Sequence, residues 1–190
     1  MIRPDKIVSI TNRHFFKNMD NFYSQIKYLC SLGIYAVILR EKDMSRDEYR
    51  RLSEKVIDIT SGYKTRIILH THVDVAEEIN YKYIHLPMKK FKESSKKLKA
   101  FNLVGVSTHT VEEAVEAQSL GASYITASHI YKTQCKAGAE PKGTGYLTRV
   151  CKSVDIPVYA LGGINFENME ESLNSGADKV CMMSELMKLK

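Results

Sequence analysis

The stretch from Thr126 to Gly143 leaves an apolar run, Tyr124-Ile125-Thr126-Ala127, with His129 at its exit, then continues as a polar loop holding Thr133, Cys135, Lys136 and Lys142. An imidazole exchanges protons near neutral pH, and hydroxyl and ammonium groups bind oxyanions. Together they suit a site that holds an anionic substrate and moves a proton on it. Loops of this length in a compact domain are more often lids or binding segments than plain connectors. Cys135 beside Lys136 has the cation that favours a thiolate. It lacks an identifiable base, so it ranks below His129, as a pocket or loop residue.

Arg40 and Lys42 follow a second apolar run and can face one phosphate or carboxylate; as solvated surface charges they would be unremarkable. Gly162 and Gly163, with Ser184 after the last apolar run, fit a phosphate cradle in which backbone N–H groups approach the anion. The bland alternative for the glycine pair is a tight turn. His14, His70, His72, His85 and His109 read as hydrogen-bonded structural groups, since no carboxylates stand beside them to complete a metal site.

The elements that must position these groups alternate regularly. Strands are expected at 7–10, 35–39, 66–69, 83–86, 103–106, 124–127, 157–161 and 179–183. Helices are expected at 21–31, from Ser45 to Ile59, from Val73, at 110–120, at 145–151 and at 166–174, with the lysine-rich segment after Pro87 as the solvated face of a short helix. Ser45 and Glu48 have capping-box spacing. Connections too long for hairpins require parallel pairing through crossovers, which implies a (β/α)8 TIM barrel over residues 1–190 as one domain. The chain is shorter than the usual barrel of about 250 residues, so loops must be short and the last helix rudimentary. An open doubly wound sheet is the weaker alternative, because no G-x-G-x-x-G follows the first strand.

Composition fits that class. Of 190 residues, 44% are hydrophobic and 26% charged, which suggests neither disorder nor a membrane protein. Residues 1–6 lack the apolar run of a secretory signal and no segment is apolar for long enough to span a bilayer, so a cytoplasmic protein is expected. The charge of +6 comes from 28 basic residues interleaved with 22 acidic ones, with no nucleic-acid motif. A small-molecule phosphate substrate is expected rather than a nucleic acid or a membrane. Homo-oligomerisation is left open. Cys30, Cys135, Cys151 and Cys181 form no C-x-x-C pair, so no zinc or disulfide framework is readable.

Arg40-Glu41-Lys42, the segment His70 to Ala76, Gly105 to Ala114, the loop from His129 to Gly143, Leu161 to Asn165 and Ser175 to Asp178 together resemble the thiamin phosphate synthase and TenI superfamily. The resemblance covers nearly the whole chain and implies a (β/α)8 barrel in the thiazole branch of thiamin biosynthesis. Its synthase branch couples a pyrimidine pyrophosphate to a thiazole phosphate and needs magnesium held by aspartates. One belongs to an Asn-Asp pair where His70-Thr71 stands, the other to a Gly-Gln-x-Asp segment aligned with Pro87-Met88-Lys89-Lys90. Both carboxylates are replaced, and Lys90 would repel the ion. The loop Ser128 to Lys136, with its histidine followed by Thr-x-Cys-Lys, is similar to TenI, a thiazole tautomerase. That likeness implies an isomerase with His129 as acid/base, no synthase activity, and no metal or organic cofactor. Arg40, Lys42, Thr133, Lys136, Gly162, Gly163 and Ser184 would hold the substrate. Thiamin phosphate synthase, or a non-catalytic binder of thiazole or thiamin phosphates, are the alternatives.

Overall fold

The computed structural model describes residues 3–133 and 138–189. Eight parallel strands close into a barrel in sequence order, β1 (Ile7–Ile10), β2 (Ala36–Leu39), β3 (Arg66–His70), β4 (Tyr83–Pro87), β5 (Leu103–Thr108), β6 (Tyr124–Ser128), β7 (Val158–Leu161) and β8 (Lys179–Met182), with β8 pairing back onto β1. This closure is the TIM barrel expected from the alternation, and it excludes the open sheet.

The helices are α1 (Met19–Ser31), α2 (Arg46–Thr60), α3 (Val73–Glu78), α4 (Met88–Leu98), α5 (Val111–Ser119), α6 (Gly143–Ser153), α7 (Met169–Asn174) and α8 (Ser184–Met187). Local chemistry sets their starts. Ser45 Oγ accepts from the Glu48 N–H while the Glu48 carboxylate accepts from the Ser45 N–H, a complete capping box at the head of α2. Thr110 accepts from the Glu113 N–H in the same way before α5. α7 begins three residues later than the expected Phe166, because Asn165 Oδ1 accepts from the N–H groups of Glu167 and Asn168 and holds that stretch as an Asx turn. α8 is a single turn.

Strands buried on both faces sort their side chains by alternation. Val8, Ile10, Ala36, Ile38, Ile68, Tyr124, Tyr159 and Cys181 fill the barrel interior. Their neighbours along the strands, among them Ile7, Val37, Leu39, Leu69, Ile84 and Val106, pack against the helices. The lysine-rich segment is the outer face of α4, with Met88, Phe91 and Leu98 turned inward and Lys92 and Lys97 paired with Glu116 and Glu77. Among the described residues, no helix is long and apolar enough to cross a membrane.

Candidate active site

The strands deliver their C-terminal ends to one face. There a pocket of about 250 Å³ opens between β2, β3 and β4, lined by Glu41, Lys42, His70, Thr71, His72 and Pro87. Tyr49 of α2 braces its floor: the hydroxyl donates to the Leu39 carbonyl at 2.6 Å and accepts from the His70 N–H at 2.7 Å, tying the ends of β2 and β3 together. The His72 ring stacks on the same tyrosine at 4.5 Å.

The charge balance of the pocket follows from what Glu41 is doing. Its buried carboxylate accepts from Thr11 Oγ1 at 2.6 Å, from the Arg13 N–H at 3.1 Å and from the Arg13 guanidinium at 3.3 Å. Arg13 is in turn clamped bidentately by Asp43 at 2.5 and 2.6 Å. Glu41 is therefore neutralised from behind. Arg40 and Lys42 form no ion pair among the described residues. Lys42 is held below the usual ammonium range, first by the charge of Arg40 and then by burial. His72 is lowered by burial, with Arg46 and Lys90 adding to the effect against Asp74. Lys42 in the lining, with the Arg40 charge close by and neutral imidazoles around it, gives the pocket a field that favours anions.

Thr71 adds backbone strain. Its φ of 69° is unusual for a β-branched residue, and its hydroxyl lies 2.7 Å from His70 Nδ1. Nothing in the sequence signals this conformation. Deeper in, His70 and His85 stack at 5.8 Å, and His85 bridges Tyr124 Oη at 3.0 Å and Ser107 Oγ at 2.8 Å.

His129 lies on another side of the mouth and is not part of that pocket lining. It is 4% exposed, and both ring nitrogens are buried without a hydrogen-bonding partner among the described residues. The segment it begins is pinned to the end of β7, with the Ile130 N–H on the Leu161 carbonyl at 3.0 Å and the Tyr131 N–H on the Gly162 carbonyl at 2.9 Å. This contact explains the glycine pair. A Cβ on Gly162 would fall 2.3 Å from His129 Cβ, and one on Gly163 would fall 2.5 Å from the Lys132 carbonyl oxygen. No hydrogen bond among the described residues uses the N–H of either glycine as donor. Lys142 turns away from the loop interior, donating to the His109 carbonyl and lying over the Tyr146 ring. Ser184 is exposed at the start of α8, two residues past the end of β8, which pairs with β7 just before Gly162. Thr133 is half-buried in the loop, and Cys135 and Lys136 lie outside the described residues.

A family model described as thiamine monophosphate synthase matches residues 7–186. The chain belongs to that family. A thiamine-phosphate synthase of Clostridium acetobutylicum is 34% identical over 187 residues, covering 96% of this chain and 87% of the relative. One from Fusobacterium nucleatum is 32% identical over 191 residues, covering 98% and 91%. Among solved structures, the thiamine phosphate pyrophosphorylase of Pyrococcus furiosus superposes with a TM-score of 0.78 at 26% identity, covering 97% of this chain and 91% of that one.

These similarities correct the expectation of an isomerase without synthase activity. The similar proteins are named as synthases, which are transferases, and the similar structure is a pyrophosphorylase. A pattern of a few residues in one loop, part of it outside the described residues, is outweighed by likeness along nearly the whole chain.

The donor set does not suit the magnesium that the synthase branch implies. Among the described residues no cluster of three or more His, Cys, Asp or Glu side chains could hold a metal ion. By the resemblance drawn from the sequence, Thr71 and Lys90 stand where the two aspartates are expected, and the one carboxylate lining the pocket, Glu41, is spent on Thr11 and Arg13. A hard divalent cation needs several oxygen ligands, so these residues do not fit it.

Proposed function

We propose that the chain couples a pyrimidine pyrophosphate to a thiazole phosphate, releasing pyrophosphate, and does so with side-chain cations where a divalent metal would otherwise sit. The observation that carries this is Lys42 in the lining of the β2–β4 pocket with Arg40 close enough to act on it, neither in an ion pair among the described residues, in a chain whose relatives are named thiamine-phosphate synthases.

When the bond to the pyrophosphate breaks, negative charge builds on the departing oxygens. Preorganised positive groups at that point stabilise the transition state more than the ground state. Arg40 and Lys42 take that role, with His70, Thr71 and His72 supplying neutral hydrogen-bonding partners. On another side of the mouth, Gly162 and Gly163, whose N–H groups donate to no acceptor among the described residues, receive the thiazole phosphate with Ser184. His129 presents an unpartnered buried imidazole beside them. Thr133 and Lys136 contribute to holding the substrate, and the reaction takes place in the cytoplasm.

Lys42→Met tests the assignment, because Lys42 makes no ion pair in the described structure and its loss should leave folding intact. The expected result is a fall of about a hundredfold in pyrophosphate release with thermal stability unchanged. Wild-type turnover by this variant would remove Arg40 and Lys42 from the chemistry. The replacement of both aspartates also supports a second reading, a binder of thiazole or thiamin phosphates without turnover. Tight binding by a wild-type protein that forms no product would establish that one instead.

A further inference from the structure

Glu41 lines the β2–β4 pocket, yet it is 3% exposed and its hydrogen-bonding partners all come from the segment after β1. Thr11 Oγ1 lies 2.6 Å from Oε1, the Arg13 N–H 3.1 Å from both oxygens, and Arg13 Nη1 3.3 Å from Oε2. The Thr11 oxygen already accepts from the Arg40 N–H at 2.9 Å, which leaves its own proton for Glu41. Each of these partners is then a donor, an arrangement that holds Glu41 as the carboxylate.

A carboxylate in the lining opposes Lys42 charge for charge. Among the described residues its cationic partner is Arg13. Asp43 takes the same guanidinium at 2.5 and 2.6 Å, with His14 Nε2 at 3.0 Å from Oδ2, but the Asp43 side chain is 53% exposed. Water screens a charge there far more than one buried in the lining. The pocket therefore feels Glu41 and Arg13 as a pair and Asp43 only weakly. We infer that Arg13 sets the sign of the pocket: it cancels the buried charge of Glu41, and Lys42 with Arg40 is then free to select an anion. Arg13 is not part of the pocket lining, so it is a positioning residue that acts through Glu41. That the anion is the pyrophosphate of a substrate rests on the proposed function; the compensation of Glu41 does not. The rival account is that the Arg13–Asp43 pair only ties the segment after β1 to the segment after β2, and the two accounts part at Asp43.

Inorganic pyrophosphate is titrated calorimetrically into the whole protein at low ionic strength, with Tm read for every variant. Arg13→Met should bind about tenfold more weakly than wild type, and adding Glu41→Gln should restore binding to within about threefold. Weakening that Glu41→Gln does not relieve would overturn the inference, as would wild-type affinity in Arg13→Met. Asp43→Asn changes an exposed side chain and keeps the inference testable should Arg13→Met not fold. It removes a negative charge and leaves the guanidinium to Glu41, so binding should be unchanged or up to about threefold tighter. Weaker binding by Asp43→Asn would mean that the pair only braces the two segments, and would overturn the inference. A wild type that binds no pyrophosphate would overturn it together with the assignment of the pocket. The expected order of affinities in a protein that forms no coupled product would count against the proposed function alone.

Discussion

Gly105→Ala probes the packing that brings His85 into place. Gly105 lies between His85 and Tyr124 in the strand register, and a Cβ there would fall 2.1 Å from Tyr124 Cζ, 2.3 Å from its hydroxyl and 2.5 Å from His85 Nδ1. Relaxed carbon contacts are about 3.5–4.0 Å, so both rings must move by more than 1 Å. Tyr124 has nowhere to go, since it is fully buried and stacked on Tyr159 at 4.4 Å. Overpacking costs about 1–3 kcal/mol and a broken bond between two buried groups adds about 1–3 kcal/mol, so a loss of about 2–6 kcal/mol is expected. For a domain of this length that is a fall in Tm of about 4–24 °C. Thermal and urea denaturation read it. Tyr124→Leu opens the space the new methyl needs, so the double variant should be more stable than the sum of the singles by at least about 1 kcal/mol. A Tm within about 2 °C of wild type for Gly105→Ala, or strict additivity in the cycle, would refute the reasoning.

Stability should fall with acid through the buried histidines. Burial, followed by the charge of His85, holds His70 well below 6.5, and burial holds His85 down to about 3. Between those values and 6.5 the unfolded chain binds the protons that the folded one refuses. Their contribution is thus complete above about pH 6.5 and is lost toward lower pH, at up to about 1.4 kcal/mol per unit for each ring. Urea titrations from pH 7 to 5 measure the slope, and His85→Gln should flatten it by about one proton; an unchanged slope would contradict burial as the cause. Gly162→Ala places a Cβ 2.3 Å from His129 Cβ at a φ of 104°, so it should cost about 2–5 kcal/mol and displace the segment from His129 to Tyr131. Wild-type Tm in that variant would mean that the close approach is not required.

The barrel is legible because strands buried on both faces read as short β-branched runs, and helix starts such as Ser45 carry their own capping chemistry. Arg40, Lys42 and the glycine pair are legible for a related reason, since strand ends in this fold share one face. Other features depend on register and packing that no local pattern encodes. Glu41 sits between two basic residues in sequence, yet its charge is consumed by Thr11 and Arg13 in the segment after β1. His70 and His72 read as structural histidines and are hydrogen-bonded or stacked as such, but they also line the pocket. The Tyr124–His85–Ser107 chain crosses three strands and appears only once His85, Gly105 and Tyr124 are set side by side. The glycine pair gains a second reason, the close approach of the segment after His129, which a tight-turn or phosphate reading does not contain.

The most direct measurement mixes wild-type protein with the pyrimidine pyrophosphate and thiazole phosphate and follows both product and pyrophosphate, once with magnesium and once in excess EDTA. The account predicts coupled product in both, at rates within about tenfold of each other, because Arg40 and Lys42 supply the charge that a metal would. Product formed only with magnesium would contradict a site whose positive charge comes from Arg40 and Lys42 in place of a metal.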